Sequence, residues 1–502
     1  MSQSIRDLSH AAHAREKGLP AAQPKSVSGM TRLHRHVHFV GIGGIGMSAI
    51  ARVLLALGVG VSGSDLKMNG TLEKLRGLGA NVTLGHASEN IRGCDAVVIS
   101  SAIPADNPEV IAARAAGIPV MQRAEMLAEI MADKQGIAVS GTHGKTTTTS
   151  MIASVLDAGS MAPTVLIGGE VNDLGANARL GSGNIVVAEA DESDASFLRL
   201  RPTCAVVTNI ENDHLGYYRD LEHLIETFTA FITRVPPEGC IVASADCAAV
   251  GELLRRLRTS PSLLGDPTVI TAGFDAAADV RGIDVELADF GSTFTVLQNG
   301  QSLGEITLRV PGLINVANAL VAVAVGLRFG VSFEVIARAL ARFRGVARRF
   351  QVLYESESLM VVDDYAHHPT AVQETIAAAR AYWPGRIVVA FQPHRYSRTA
   401  YLVRDFARAL LRADEVVVAD IYAAGEMPLP GVRAESIVDF IADLDPQKAA
   451  VHLPKPADVL AYLQRTIKSG DLVLTLGAGD IGGVAHELAA GLSAADAGVA
   501  NL

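Results

Sequence analysis

Short apolar runs alternate with helical patterns along this chain, and that alternation constrains its fold more than any other feature. Apolar runs such as Val37–Val40, Ala96–Ile99 and Ile137–Ser140 are separated by longer segments with helical periodicity. Parallel strands connected by crossover helices produce this order. The sequence therefore predicts an α/β fold.

The length predicts several domains. At about 150 residues per domain, 502 residues correspond to roughly three domains. Strand and helix patterns divide the chain into a mobile N-terminal tail over 1–32 and three units over 33–122, 123–343 and 344–492. The first unit contains strands predicted at Val59–Ser62 and Ala96–Ile99, and the second ends after a helix predicted at Leu320–Phe329. Four apolar strands are predicted in the third unit, at Leu359–Val362, Arg386–Phe391, Glu415–Ala419 and Leu472–Leu476.

The charge balance limits the ligands that the chain can attract. There are 43 basic and 53 acidic residues, so the formal net charge is −10 and an anionic ligand needs a local cationic site. We therefore expect no nucleic-acid partner.

The N-terminus lacks the apolar centre of a secretory signal, and the stretch from Gly41 to Val61 fits a strand, a turn and a buried helix better than a membrane span. A cytoplasmic protein without membrane insertion is expected.

A glycine-rich turn follows the first predicted strand. Gly41-Ile42-Gly43-Gly44-Ile45-Gly46 fits G-x-G-x-x-G, with a helix predicted to start near Met47, and Asp65 ends the next strand. Glycines let a diphosphate approach the N–H groups of a helix N-terminus, and the acid can bind a ribose hydroxyl. The motif leaves NAD and a UDP-sugar open as ligands, and a tight turn without any ligand is the alternative.

A second phosphate-type loop opens the central unit. Gly141-Thr142-His143-Gly144-Lys145-Thr146-Thr147 follows the strand Ile137–Ser140, although Val139 stands where the general G-x-x-x-x-G-K-[ST] pattern has its first glycine. Lys145 would contact β- and γ-phosphates and Thr146 a Mg²⁺ ion. A threonine-rich helix start is the alternative. Two such loops argue against a simple dehydrogenase.

Acidic residues follow two further strands of the central unit. Glu189-Ala190-Asp191-Glu192-Ser193-Asp194 follows one strand, and Thr208-Asn209-Ile210-Glu211-Asn212-Asp213-His214 ends the next. Ligands bind at such strand ends in open α/β sheets, and carboxylates with a neutral imidazole could hold Mg²⁺. A solvated turn or a helix cap is the alternative for each acid.

The third unit carries histidines and arginines after its strands. Asp363-Asp364-Tyr365-Ala366-His367-His368-Pro369 and Phe391-Gln392-Pro393-His394-Arg395-Tyr396-Ser397-Arg398-Thr399 each follow a strand, and Arg348 and Arg349 precede the first of them. Arginine binds carboxylates and phosphates bidentately. These side chains fit a clamp for an acid substrate and ATP phosphates, whereas each histidine alone could equally be a packed residue.

Taken in order, these motifs resemble the Mur ligases of bacterial peptidoglycan synthesis. The resemblance runs from about His36 to Gly483, and Ser193–Phe197 are similar to the alanine-adding members. It implies a Rossmann-like N-terminal domain that binds UDP-N-acetylmuramate, a central ATPase-type domain with a parallel or mixed sheet, and a Rossmann-like C-terminal domain that contacts L-alanine. The implied reaction is ATP-dependent ligation of L-alanine to the lactyl carboxylate through an acyl phosphate. Mg²⁺ is the implied cofactor, with Mn²⁺ as a substitute, and a monomer or weak homodimer is expected.

The resemblance also implies roles for individual residues. Lys145, His214 and Arg395 would be catalytic, and Thr146, Glu189 and His214 would bind the metal. The UDP-sugar would contact Gly41, Gly43, Gly44, Gly46, Asp65 and Ser101. ATP would contact Gly141, Thr142, His143, Gly144, Lys145, Thr146, Thr147, Asn318, Arg349 and Asp364. The amino acid would contact His367, His394, Arg395 and Arg398, and Arg348 would also line the cleft.

Three positions depart from the family pattern. Ile314 stands where a histidine is expected, which puts a polar contact to the adenine in doubt, and Gly216 and Ala347 replace a common Asp and Gly. None of the three removes a predicted phosphate or metal ligand. The functional alternatives are an NAD-dependent oxidoreductase, which leaves the Lys145 loop unexplained, and a nucleotide-switched binding protein without turnover.

Overall fold

The computed structural model describes residues 34–171, 176–213, 217–259 and 267–499. The predicted tail over 1–32 lies outside this part of the chain. Three sheets form within it, each with helices packed against it, and this confirms the α/β class predicted from the sequence.

The first sheet has five parallel strands in the order β3-β2-β1-β4-β5. The strands are β1 His36–Val40, β2 Gly60–Asp65, β3 Asn81–Leu84, β4 Ala96–Ile99 and β5 Val120–Gln122. The helices are α1 Ile45–Ala56, α2 Gly70–Gly77, α3 Pro108–Ala115 and α4 Arg123–Met131. This order reverses direction between β1 and β4, where doubly wound sheets bind their ligands.

The second sheet has ten strands in the order β15-β14-β13-β12-β11-β10-β6-β9-β7-β8. The strands are β6 Gln135–Ser140, β7 Thr164–Val171, β8 Ala176–Arg179, β9 Ile185–Glu189, β10 Cys204–Val207, β11 Cys240–Ser244, β12 Thr268–Gly273, β13 Val280–Ala288, β14 Gly291–Gln298 and β15 Gln301–Leu308. The helices are α5 Lys145–Ala158, α6 Leu221–Ile232, α7 Ala248–Thr259, α8 Leu313–Arg328 and α9 Phe333–Arg342. Strands β8, β14 and β15 pair antiparallel with their neighbours, and the other pairs are parallel.

The third sheet has six strands in the order β16-β17-β21-β18-β19-β20, and only β16 is antiparallel. The strands are β16 Gln351–Glu355, β17 Leu359–Asp364, β18 Arg386–Phe391, β19 Glu415–Val418, β20 Ala449–His452 and β21 Asp471–Leu476. The helices are α10 Pro369–Tyr382, α11 Tyr396–Leu410, α12 Glu435–Leu444, α13 Pro456–Thr466 and α14 Gly482–Val499.

Several sequence-based boundaries need correction. The strand predicted at Ile137–Ser140 begins earlier, at Gln135, and the helix predicted to start near Met47 begins at Ile45. The strand predicted at Val59–Ser62 is shifted to Gly60–Asp65, and the helix predicted at Leu320–Phe329 begins earlier, at Leu313. Residues from Val316 to Gly326 are buried along most of α8, and a helix that is apolar on all sides lacks the periodic pattern that marks a helix start. The third unit has two strands more than predicted, β16 and β20, which both lie at sheet edges and are only partly buried.

Candidate active site

A large cleft collects loops from all three sheets. It has a volume of about 910 Å³ and is lined by the turns after β1, β4 and β6, the segments after β9 and β10, and those after β17 and β18. Most of these segments follow the carboxyl ends of parallel strands, which is where open α/β sheets bind ligands. The three units therefore contribute to one site.

The glycine turn after β1 presents its backbone to the cleft. Gly41 has a φ of +76°, and its N–H donates to the Ser64 carbonyl at 2.8 Å, while the N–H of Ile42 donates to the same oxygen at 3.0 Å. Gly41, Gly44 and Gly46 line the cleft, as does Ser101 after β4. The strand-turn-helix context expected from the sequence is present, with α1 starting at Ile45.

Asp65 and Gly43 hold this turn from behind. Asp65 Oδ2 accepts the Gly43 N–H at 2.9 Å, and its Oδ1 accepts the Leu66 N–H at 2.7 Å. A Cβ on Gly43 would lie 2.7 Å from Asp65 Oδ2, so only glycine allows this approach. Neither residue is among those that line the cleft. The geometry gives Asp65 a role in fixing the turn, and its predicted contact with a ribose hydroxyl stays a prediction.

The Lys145 loop depends on two glycines with positive φ. Gly141 has a φ of +132° and Gly144 of +81°, and a Cβ on Gly144 would lie 2.5 Å from Asn318 Oδ1. Most of the predicted loop residues line the cleft: Thr142, His143, Gly144, Lys145, Thr146 and Thr147. Gly141 lies behind them. Because other side chains are strained at positive φ, these glycines are what allow the loop to wrap the start of α5.

The Lys145 ammonium group is held close to acidic groups. Its Nζ donates to the Gly141 carbonyl at 2.5 Å and to Glu192 Oε1 at 2.7 Å. Burial alone would lower the pKa of Lys145, but the charges of Glu192 and Asp191 raise it above its ordinary value. The lysine is therefore fully charged at neutral pH and lies where an anion entering the loop would meet it.

Two predicted metal ligands lie beside this loop. Glu189 Oε1 accepts the Gly168 N–H at 2.8 Å, and burial raises the pKa of this carboxyl even though Gly168, Lys145 and Thr146 act to lower it. Glu189 and Thr146 both line the cleft. The third predicted metal ligand, His214, lies outside the described residues, as does the Gly216 departure.

The two adjacent arginines that precede β16 have different surroundings. Arg348 Nε donates to Asp363 Oδ2 at 2.9 Å and its NH2 group to the Gly477 carbonyl at 2.7 Å. Arg349 lines the cleft, and its guanidinium donates to the Thr146 hydroxyl at 3.4 Å. The expectation that Arg348 lines the cleft is thus not met, because its guanidinium connects β17 to the turn that follows β21.

Asp364 is fixed at the end of β17. Its two oxygens accept the N–H groups of Phe350 and Ala366, each at 2.7 Å. Burial raises the pKa of Asp364 although Arg349 acts to lower it. It lines the cleft next to Arg349, where both were predicted to contact ATP.

Two histidines of the third unit form a neutral pair. The ring centroids of His367 and His394 are 5.5 Å apart, and both residues line the cleft. Burial lowers the pKa of His394 to about 4 and that of His367 well below its ordinary value, with Arg398 adding to both effects. His367 Nδ1 lies 2.8 Å from the Tyr365 carbonyl, which can only accept, so the proton is on Nδ1 and the lone pair is on Nε2.

Arg398 joins the central and C-terminal units. Its guanidinium donates to Asp213 Oδ1 at 3.1 Å and to Oδ2 at 3.3 Å, and both side chains are more than nine-tenths buried. Arg395 also lines the cleft and immediately precedes α11. Glu426 accepts the Ser397 N–H at 3.0 Å and so fixes the start of the same helix.

Asn318, near the start of α8, is predicted to contact ATP but is not among the residues that line the cleft. Asn318 is buried, accepts from the Thr148 hydroxyl at 3.1 Å and lies behind Gly144. Asn315 and Ile314 line the cleft instead. Contact of Asn318 with ATP stays a prediction, and the structure gives this residue a role in supporting the loop.

Sequence reasoning missed several partners in the site. Glu211 and Asp213 lie in a motif whose carboxylates are predicted as possible Mg²⁺ ligands, but the sequence assigns neither of them an individual role, and it does not single out Glu426. Asp213 pairs with Arg398, which lies 185 residues further along the chain, so the spacing of residues within a motif gives no indication of this contact. The strand-end position of Glu211 was the available clue.

No helix within the described ranges is long and apolar enough to cross a membrane.

Three family models match successive parts of the chain. They are described as Mur ligase family, catalytic domain, over residues 36–135; Mur ligase middle domain, over 139–326; and Mur ligase, glutamate ligase domain, over 348–479. Together they cover most of the chain in the order in which the three sheets occur.

Curated relatives match over nearly their whole length. A UDP-N-acetylmuramate–L-alanine ligase of Trichlorobacter lovleyi is 50% identical over 89% of this chain and 96% of its own. A protein of the same name from Sorangium cellulosum is 46% identical over 92% of this chain and 97% of its own. The solved UDP-N-acetylmuramate-alanine ligase of Thermotoga maritima is 30% identical, with a TM-score of 0.77, over 92% of this chain and 99% of that one. On these matches, the chain belongs to the Mur ligase family.

Proposed function

We propose that this chain joins L-alanine to the lactyl carboxylate of UDP-N-acetylmuramate while ATP is converted to ADP and phosphate, a step of peptidoglycan biosynthesis. The observation that carries the proposal is that the glycine turn after β1 and the Lys145 loop line the same cleft. Two phosphate-binding loops in one cleft fit two phosphorylated substrates that react with each other. Relatives with this activity in their names support it.

The glycine turn binds the diphosphate of the UDP-sugar in this proposal. Gly44 and Ile45 lie at the N-terminus of α1, where the helix dipole favours an anion. Ser101 lines the same side of the cleft and supplies a hydroxyl. The lactyl carboxylate then points toward the Lys145 loop.

ATP binds with its phosphates on the Lys145 loop. The lactyl carboxylate attacks the γ-phosphorus, the bond to the β-phosphate oxygen breaks, and ADP leaves. Lys145 stabilises the negative charge that is spread over the transferring group. The alanine amine then attacks the acyl carbon, and the tetrahedral intermediate collapses with release of phosphate.

A Mg²⁺ ion fits beside this loop. The Thr146 hydroxyl and the Glu189 carboxylate are oxygen ligands of the kind that Mg²⁺ prefers, and both line the cleft next to Lys145. When bound, the ion neutralises phosphate charge. His214 is proposed as a further ligand from the resemblance alone, and Mn²⁺ as a substitute for Mg²⁺.

Replacing Glu189 by glutamine should raise the Mg²⁺ concentration that gives half-maximal ligation by about tenfold or more. The amide keeps an oxygen for the Gly168 N–H but lacks the charge that attracts a cation. A Mg²⁺ titration of the initial rate measures the effect. Glu435→Gln, an exposed position on α12, is the control, and equal Mg²⁺ curves for both variants would remove Glu189 from the metal site.

L-Alanine binds between His367, His394, Arg395 and Arg398. The Nε2 lone pair of neutral His367 can accept a hydrogen bond from the amino group, and the Arg395 guanidinium can bind the carboxylate. Arg398 is held by Asp213, which keeps the C-terminal unit against the central one. This pairing supports closure of the C-terminal unit over the substrates.

We assign the UDP-sugar to 33–122, ATP to 123–343 and the amino acid to 344–492, in a monomer or weak homodimer located in the cytoplasm. The contacts of Arg349 with Thr146 and of Arg398 with Asp213 support a reaction that needs the central and C-terminal units together.

The proposal is tested by phosphate release from ATP with Mg²⁺ and UDP-N-acetylmuramate, with and without L-alanine, followed by mass analysis of the nucleotide-sugar. Alanine-dependent release and a mass gain of one alanyl residue are expected. Nucleotide binding without release would favour a nucleotide-switched binding protein, and a change in the fluorescence of added NADH would favour an oxidoreductase.

A further inference from the structure

Two histidines and a glutamate converge where the Lys145 loop meets the C-terminal unit. His143 Nε2 lies 3.4 Å from Glu211 Oε2, and His368 Nδ1 lies 3.8 Å from the same oxygen. The two imidazole rings have centroids 4.9 Å apart. One ligand atom from each of the three residues lies within 4.8 Å of the other two. Neither Thr146 nor Glu189 belongs to this group.

Within the described ranges, three of the four ring nitrogens of this cluster are buried and make no hydrogen bonds. They are Nε2 of His143 and both Nδ1 and Nε2 of His368, whose side chain is only 8% exposed. Buried polar atoms almost always have a partner, so three such nitrogens need an explanation. A bound cation supplies one.

The protonation states of His368 and Glu211 suit metal binding. Burial lowers the pKa of His368 to about 4, so its ring is neutral and has a lone pair at physiological pH. Burial would raise the pKa of Glu211, but His143, Thr370 and His368 lower it overall, so its carboxylate is charged. Neutral imidazoles and an ionised carboxylate are the forms that ligate metals.

The orientation of Glu211 is also fixed. The Thr370 hydroxyl donates to Glu211 Oε2 at 2.6 Å, and hydrogen bonds of this kind to ligating carboxylates are common in metal sites. His143 and Glu211 come from the central unit, whereas His368 immediately precedes α10 of the C-terminal unit. An ion here would connect the two units.

We propose that His143, Glu211 and His368 form a second cation site, selective for Zn²⁺ or Co²⁺ over Mg²⁺, which ties the Lys145 loop to the start of α10. Two imidazoles and one carboxylate favour zinc-like ions, whereas Mg²⁺ prefers oxygen ligands. The Glu211 carboxylate oxygen lies 3.4 Å from the His143 nitrogen and 3.8 Å from the His368 nitrogen. These ligand atoms need to move only slightly closer together to form bonds of about 2.0–2.1 Å to one ion between them. Three protein ligands leave one coordination position open.

A functional consequence follows, and it rests on the proposed ligase activity. An ion that joins the two units opposes the opening needed for product release. Zn²⁺ should therefore inhibit ligation even when Mg²⁺ is saturating, and the inhibition should weaken when a ligand is removed.

The site is tested by titrating Co²⁺ into the full chain without substrates and recording its visible d–d absorption. We expect saturation at one equivalent, displacement by Zn²⁺, and no displacement by a large excess of Mg²⁺. His368→Gln and Glu211→Gln should each weaken Co²⁺ binding by about tenfold or more. His486→Gln, an exposed position on α14 away from the cleft, is the matched control and should bind as the unmodified chain does.

The readouts separate this proposal from the proposed function. Equal Co²⁺ binding by the unmodified chain and both ligand variants, or displacement by Mg²⁺, would overturn the site. UDP-sugar binding by each variant checks that it is folded, and the two variants lie in different units, so a folding failure in one leaves the other. Co²⁺ binding without any ligation would preserve the site and overturn the function instead.

Discussion

Replacement of Lys145 by alanine is expected to lower the rate of ATP-dependent ligation by about 100- to 1,000-fold, the cost of removing one preorganised charge-stabilising group from a transition state. Lys145 is the cation of the loop that starts α5, and its Nζ lies 2.5 Å from the Gly141 carbonyl. Phosphate release with all substrates present measures the effect. Binding of UDP-N-acetylmuramate, measured by calorimetry, should persist because the glycine turn is untouched.

The buried partner of Lys145 requires a second variant. Glu192 is only 1% exposed and contacts the Lys145 ammonium group at 2.7 Å, so Lys145→Ala removes a cation from beside a buried carboxylate. Breaking such a pair can destabilise a protein by about 3–5 kcal/mol. The double variant Lys145→Ala with Glu192→Gln should recover stability without recovering ligation. Lys455→Ala, at an exposed position, is the control. Ligation at the normal rate in the single variant would remove Lys145 from catalysis.

Local patterns were sufficient to predict the strand-turn-helix units of the site. The strands Ala96–Ile99 and Arg386–Phe391 have the predicted boundaries, because a short apolar run that ends in a polar turn is a local signal. The antiparallel strands β13–β15 were not predicted. Their alternating residues, of which only some face the core, give weaker runs than those of buried parallel strands.

Pairings between distant residues were not predictable from the sequence. Arg348 and Arg349 are adjacent and chemically identical, yet Arg348 binds Asp363 while Arg349 faces the cleft. Likewise Asp65 contacts the backbone of the glycine turn because β2, which ends at Asp65, pairs with β1, which leads into that turn. Motif spacing identifies which residues gather at a strand end, and packing decides which of them face the ligand.

A buried acid in the N-terminal unit supports the glycine turn from a distance. Glu109 is fully buried, and its Oε2 accepts from the Ser64 hydroxyl at 2.6 Å while its Oε1 accepts from Asn90 Nδ2 at 2.5 Å. His86 Nδ1 lies 3.2 Å from the carboxylate and His38 Nε2 lies 3.8 Å away. The carbonyl of the same Ser64 binds the N–H of Gly41. Glu109 therefore connects the packing of α3 to the turn that we propose binds the UDP-sugar.

The charge of this acid gives a defined pH dependence. Burial would raise the pKa of Glu109, but the nearby His38 imidazole and the hydrogen bonds from Ser64 and Asn90 lower it to about 2, from an ordinary value of 4.5. Because the folded-state pKa is the lower one, the stabilisation is fully present above pH 4.5 and is lost as the pH falls toward 2. Glu109→Gln cannot titrate, so its stability should fall less steeply than that of the unmodified chain across this range.

Glu109→Ala should destabilise the N-terminal unit by about 3–5 kcal/mol, since it leaves buried donors without their acceptor. Urea unfolding measures this effect, with Glu89→Ala, an exposed position nearby, as the control. The affinity for UDP-N-acetylmuramate should fall as well, because Ser64 loses the contact that fixes its position beneath Gly41. Unchanged stability together with unchanged affinity would mean that the turn is held by its backbone hydrogen bonds alone. Reduced stability with normal affinity for UDP-N-acetylmuramate would limit the role of Glu109 to packing, because the glycine turn would then keep its shape without this carboxylate.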